Sequence, residues 1–106
     1  MIARLWSGAV RTTDADVYAR YIQDTGFAEY GRTPGNRGAL LLRRDDEGVT
    51  EFIALSLWDG VEAIRAFAGD DIEAAVLYPE DERYLIDGES RTTHYDVADH
   101  IPDGGG

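Results

Sequence analysis

The stretch Val49 to Phe67, VTEFIALSLWDGVEAIRAF, limits the fold more than any other part of the chain. It opens as a strand: Phe52, Ala54, Ser56 and Trp58 fall on one side of a period-2 pattern, Ile53, Leu55 and Leu57 on the other. Both sides are mostly apolar. A sheet with one face in water shows a polar side, so this strand is expected to be covered twice, by helices on one face and by a second subunit on the other. Asp59 and Glu62 then carry the spacing of a capping box, which satisfies free amide donors in the first turn of a helix. Val61, Ile64, Phe67 and Ala68 give that helix its buried stripe, and Gly69 suits its end. Trp58 stands at the handover from strand to helix, where a pocket rim is expected.

The other elements follow from the same patterns. Ile2 to Val10 reads as a strand with Ile2, Arg4, Trp6 and Gly8 on one face. Arg4 beside Trp6 admits two accounts: a guanidinium stacked on the indole at the core boundary, or a cation facing a cavity that holds an anionic or phenolic group. Thr12 and Thr13 offer an N-cap to a helix with the stripe Val17, Tyr18, Tyr21, Ile22 and Thr25, weakened at Gly26 and ending near Gly31. Its tyrosines either bury their rings with hydroxyls at the margin or line a pocket. The loop Arg32 to Gly38 lacks the Lys-Ser/Thr of a phosphate cradle and opens no helix, which argues against nucleotide binding.

Gly38 to Arg44 and Thr50 to Trp58, joined by Asp45 to Gly48, form an antiparallel hairpin. Beyond the second helix, Asp70 and Asp71 are expected to cap a short helix carrying Ile72, Ala75 and Val76, stopped by Tyr78-Pro79, with a further turn from Pro79 to Glu82. Arg91 to Val97 is the last strand. The order is βαββαβ, a ferredoxin-like α+β fold with an antiparallel sheet, in one domain over residues 1–98 with a flexible tail over 99–106.

Composition removes several function classes. The net charge is -11, with 21 acidic residues against 10 basic, all arginine, so nucleic acid and anionic membrane meet a field of the wrong sign. No cysteine is present, which excludes thiolate catalysis, disulfides and zinc ribbons. The N-terminal residues MIARLWSGAV are too quickly interrupted by charge for a signal peptide, and a cytoplasmic location is expected.

The runs LSLWDGVEAIRAFAG, DDIEAAVLYPEDERYL and THYDV resemble the antibiotic biosynthesis monooxygenase family of dimeric α+β barrel proteins, across nearly the whole chain. The most specific pieces are Ser56-Leu57-Trp58-Asp59, Phe67-Ala68-Gly69, and Tyr78-Pro79-Glu80 ahead of His94-Tyr95. The resemblance implies a homodimer paired through sheet faces, a cavity between sheet and helices, and either cofactor-independent oxygenation of a small aromatic, phenolic or polyketide-like molecule or haem degradation. Against haem, the helix Val61 to Ala68 carries no histidine where haem-degrading relatives place their ligand, and no metal or cofactor is expected.

Oxygenation without a cofactor needs a base, a stabiliser of the substrate anion and a dry pocket. His94 is the candidate base and Arg4 the candidate oxyanion stabiliser, with Trp58, Phe52, Phe67, Tyr78, Trp6 and Tyr21 as candidate substrate walls. Each has a structural alternative: His94 as a strand residue bonded to its neighbours, the aromatics as core. The competing function is a non-catalytic ligand-binding or stress-associated dimer using the same cavity.

Overall fold

The computed structural model describes residues 1–101. In chain order it forms β1 (Ile2–Arg11), a 3-10 turn (Thr12–Asp14), α1 (Ala15–Ile22), a π-helical turn (Gln23–Phe27), α2 (Ala28–Arg32), β2 (Asn36–Asp46), β3 (Val49–Trp58), α3 (Val61–Ala68), α4 (Asp81–Tyr84), β4 (Leu85–Gly88) and β5 (Thr93–Asp96). The five strands make one antiparallel sheet in the order β2-β3-β1, with β4 and β5 both against the far side of β1. This is the ferredoxin-like arrangement with its last strand broken in two.

The hairpin closes more tightly than the run Asp45 to Gly48 suggests. Strand β2 continues to Asp46, and only Glu47 and Gly48 turn, with φ of 49° and 84°. Positive φ at both central residues belongs to the turn whose twist matches two antiparallel strands. The first helix runs continuously through three geometries, and Gly26 falls in the π-helical turn instead of ending it.

Three expectations are corrected. No helix forms over Asp70 to Tyr78: the chain there is an irregular strap whose amides pair across to the last strand's break, Ala75 N–H to Ser90 O at 2.9 Å and Thr92 N–H to Glu73 O at 2.7 Å. Ile72, Ala75 and Val76 read as a helical stripe by spacing, but these non-local backbone bonds outweigh that local signal. The last strand, read as Arg91 to Val97, is confined to Thr93–Asp96, and a further strand that the sequence reading did not include, β4, pairs Gly88 with Gly8. Asp59 does not cap α3. Gly60 holds the N-cap position and the Asp59 carboxylate takes the Arg37 guanidinium instead. The flexible tail expected from 99 onward lies largely outside the described residues, and 97–101 carry no regular secondary structure.

The helical face of the sheet holds two clusters. One gathers Trp6, Val10, Ala15, Tyr18, Ile22, Phe52 and Ala54; the other gathers Tyr30, Trp58 and Ile64 with Phe67 against them. Gly8 makes the first possible, because a Cβ there would stand 2.4 Å from Cη2 of the Trp6 indole folded over it. On the opposite face, Leu40 and Leu42 of β2 pair in register with Leu55 and Ile53 of β3, and Leu5 of β1 lies across Leu55. Leu40 is 59% exposed and Leu42 43%. The second apolar face of β3 therefore exists as the alternation predicts, and among the described residues nothing covers it.

Candidate functional site

Arg4 stands on the helical face of β1, between Ser56 of β3 and His94 of β5 in register. It is 3% exposed, and its Nη2 donates to the Ala74 carbonyl of the strap at 2.8 Å. The guanidinium lies 5.5 Å from the Phe67 ring centroid, a cation–π contact. It forms no ion pair with any described carboxylate, and its Nε is buried without a hydrogen-bond partner. Burial lowers its pKa, opposed by the Tyr30 hydroxyl, yet a guanidinium starts so high that it stays charged. A buried, permanently positive and incompletely bonded group is therefore built into the wall of the fold.

The two core clusters do not close on each other. Between them lies a cavity of ≈ 40 Å³, measured to the centres of water-sized molecules. That is room for about three waters. Its walls come from the sheet (Arg4, Trp6, Ala54), from α1 and the π-helical turn (Tyr18, Ile22, Thr25, Gly26, Phe27), from Tyr30 and Phe67, and from the strap (Val76, Leu77, Tyr78, Asp81). Tyr30 is pushed up by burial, partly countered by the Arg4 charge and by Ser56. Tyr78 is pushed up to about 12, chiefly by burial. Both phenols are neutral at ordinary pH and can donate as well as accept.

Of the residues picked out in the sequence, Arg4, Trp6, Phe67 and Tyr78 meet at this cavity. Trp58 does not reach it: fully buried, it stacks on Phe67 at 5.6 Å, meets Tyr30 edge-on at 5.7 Å and donates its indole N–H to Ser56 Oγ at 2.8 Å. Phe52 packs under Tyr18 in the core. Tyr21 faces outward from the cavity, where its hydroxyl accepts the Glu80 N–H at 3.0 Å. His94 lies beside Arg4 and off the cavity wall, with Nε2 buried and unbonded. Burial first and the Arg4 charge second lower its pKa, and Glu73 opposes them.

The sequence reading missed a buried acid. Asp81 is 5% exposed; its Oδ1 accepts the Tyr18 hydroxyl at 2.8 Å and its Oδ2 the Tyr78 N–H at 2.6 Å. Burial, then the hydrogen bond to Asp81, pushes the Tyr18 phenol far above its ordinary value, so it remains a donor. This pair ties the strap's end to α1. Asp81 looked like one more acid at a helix start, and only contact with Tyr18, 63 positions away, marks it out.

No protein-family profile matches the chain, and no curated protein does. Solved structures match over nearly the whole length. A Bacillus cereus protein provisionally described as an antibiotic biosynthesis monooxygenase superposes with a TM-score of 0.67 at 13% identity, over 94% of this chain and 95% of that one. The N63A mutant of SnoaB, a cofactor-independent oxygenase from Streptomyces nogalater, gives 0.64 at 18%, over 96% and 97%. An uncharacterized NIPSNAP domain protein from Burkholderia xenovorans gives 0.58 at 17%, over 97% and 100%. At such identities the likeness is one of fold: the chain has the ferredoxin-like α+β architecture of the antibiotic biosynthesis monooxygenases it resembles in sequence pattern.

Proposed function

We propose that the protein is a small cofactor-independent monooxygenase acting on an aromatic, phenolic or polyketide-like molecule, as a homodimer joined through the open sheet faces. The observation that carries this reading is Arg4, a buried cation without a counterion among the described residues, in the wall of an aromatic-lined cavity. Such a group stabilises negative charge developing on a substrate oxygen, where low dielectric makes the interaction strong. The substrate loses a proton to a base, and its anion transfers one electron to dioxygen. Recombination then forms the carbon–oxygen bond. For an activated CH2 group, loss of water from the resulting peroxide leaves a carbonyl, so one oxygen atom enters product and the other leaves as water.

Arg4 is the proposed oxyanion holder and His94, adjacent on β5 with an unbonded Nε2, the proposed proton acceptor. Phe67, Tyr78 and Trp6 are proposed to hold the ring, with Trp58, Phe52 and Tyr21 supporting that wall from behind. The homodimer reading is supported by the exposed leucines of β2, Leu40 and Leu42, beside the half-buried Ile53 and Leu55 of β3.

The narrowness of the cavity favours a second reading, a dimer that binds a ligand without turning it over. Aerobic incubation with an anthrone and hydroquinone panel separates the two. Oxygen uptake that falls in Arg4→Ala and in His94→Ala supports the oxygenase; ligand binding with no oxygen consumed by any member supports the binder.

A further inference from the structure

We propose that the cavity takes a single-ring aromatic phenol as its phenolate, with the oxyanion held by Arg4. This deepens the reading above by naming the substrate class and charge state, and it rests on the cavity alone, not on oxygen chemistry.

The charge requirement follows from Arg4. A guanidinium that is 3% exposed and unpaired is one of the costliest groups a small domain can bury, and its Nε lacks a partner. Its neighbours on the cavity side supply no negative charge: Phe67 offers a ring face, and Tyr30 is a phenol that burial keeps protonated. The one acid in the wall, Asp81, already accepts from Tyr18 and from the Tyr78 backbone on the strap side. An incoming oxyanion supplies what the site lacks, whereas a neutral ligand leaves the charge uncompensated.

The limit to one ring follows from how the cavity is closed. Its volume of ≈ 40 Å³ is below the about 150 Å³ cavity known to hold benzene, so even one ring needs the wall to yield. Only a short part of the wall is free to do so. The strap is pinned before Val76 by Arg4 to Ala74 O and by Ala75 N–H to Ser90 O, and after Leu77 by Tyr78 N–H to Asp81 and Glu80 N–H to the Tyr21 hydroxyl. Val76, the half-exposed Leu77 and the Tyr78 side chain can swing outward without breaking those bonds. Fused rings would break them. Opposite lies Gly26 in the π-helical turn, also in the wall, where a Cβ would stand in van der Waals contact, 3.8 Å from Tyr78 Cε2.

The test uses 4-nitrophenol, whose phenolate absorbs in the visible and whose neutral form does not, in buffer acidic enough to keep the free probe mostly protonated. Added wild-type protein should bring up the phenolate band saturably and lower the bound probe's pKa by about 1–3 units, the size of a shift beside an arginine. The uncharged 4-nitroanisole should not compete, and a nitronaphthol should bind at least about tenfold more weakly, since its second ring displaces strap bonds. Arg4→Met should weaken phenolate binding by about ten- to a hundredfold, the range of one charge-assisted hydrogen bond. Gly26→Leu, which adds a side chain to the cavity wall beside Tyr78 and leaves Arg4 in place, should weaken it too.

Binding of the probe in its neutral form, equal competition by the anisole, or no binding of the phenolate overturns the proposal. These readouts need only the wild-type protein, so they decide even if Arg4→Met fails to fold. Phenolate binding without oxygen uptake by any substrate would sustain this inference and defeat the oxygenase. Uptake with polycyclic substrates alongside no phenolate binding would do the reverse.

Discussion

Replacing Tyr18 by Phe removes one hydroxyl from the interior and leaves the ring where it is. The ring packs at 5.7 Å from Phe52, 5.6 Å from Tyr84 and 6.2 Å from Tyr21, contacts that Phe retains. The loss is confined to the 2.8 Å hydrogen bond donated to Asp81 Oδ1, between two residues that are almost wholly buried. A hydrogen bond to a charged group contributes about 1.5–3 kcal/mol. For a domain of this size, at about 4 °C per kcal/mol, Tm should fall by about 6–12 °C. Urea unfolding followed by tryptophan fluorescence measures the first figure and calorimetry the second. Because Asp81 also holds the Tyr78 amide, the strap should loosen, and chymotryptic cleavage after Leu77 should speed up under native conditions. In an Asp81→Ala background the same Tyr18→Phe change should have little further effect, since the partner is already gone. A single-variant loss within about 0.5 kcal/mol, the scatter of indifferent surface changes, would refute the idea that this pair anchors the strap.

Further outcomes are expected. Gly8→Ala should cost about 1–3 kcal/mol and shift the tryptophan emission, because the added Cβ meets the Trp6 indole at 2.4 Å; an unchanged urea midpoint would contradict the packing described. His94 has its folded pKa below the ordinary 6.5, chiefly through burial, so the unfolded chain binds a proton more readily. Its contribution is therefore nil at higher pH and becomes a penalty as pH falls through about 6.5, and His94→Gln should remove that part of the acid-side slope in a stability–pH series. Leu55→Glu, at the centre of the uncovered sheet face, should turn a sedimenting dimer into a folded monomer; wild type that is monomeric at micromolar concentration would sink the pairing. Arg4→Met should leave the urea midpoint unchanged or raised, since the relief of a buried charge offsets the donor lost to Ala74 O; a large fall would make Arg4 a structural strut.

The sheet was legible because its signals are local. Period-2 alternation in Val49 to Trp58, the Glu47-Gly48 turn and the stripe of α3 each lie within a few neighbouring residues, and the strand register follows once the hairpin is placed. The strap was misread for the converse reason. Asp70-Asp71 and Ile72, Ala75 and Val76 carry a helical spacing, but the Asp71 carboxylate pairs with Arg91 and the strap amides with residues 90–92. Leu85 to Gly88 was passed over because four residues ending in Asp-Gly look like a turn until Gly8 offers them a glycine partner across the sheet. Of the candidate site, Arg4 was visible as an arginine on the apolar face of a strand. Trp58 was marked by its position at the end of β3, and the same position buries it behind Tyr30 and Phe67.

Why the cavity lies where it does follows from the two clusters it separates. Trp6, held flat over Gly8 and donating its indole N–H to Glu89 O at 2.8 Å, belongs to one; Trp58, donating to Ser56, belongs to the other. Each tryptophan is fixed by its own polar bond, so neither can tip into the gap. Arg4 occupies the β1 position between them in register, where an apolar side chain of similar length would complete a continuous core. Filling that gap with Leu or Met would bury more apolar surface and leave no charge to desolvate, so packing alone gives no reason for an arginine there. Its guanidinium is tied down by one strap carbonyl and one aromatic face, which orient it without neutralising it. An oriented, unneutralised charge costs stability in the empty protein and would yield it back on binding an anion, which is the physical ground for the oxyanion binding proposed above.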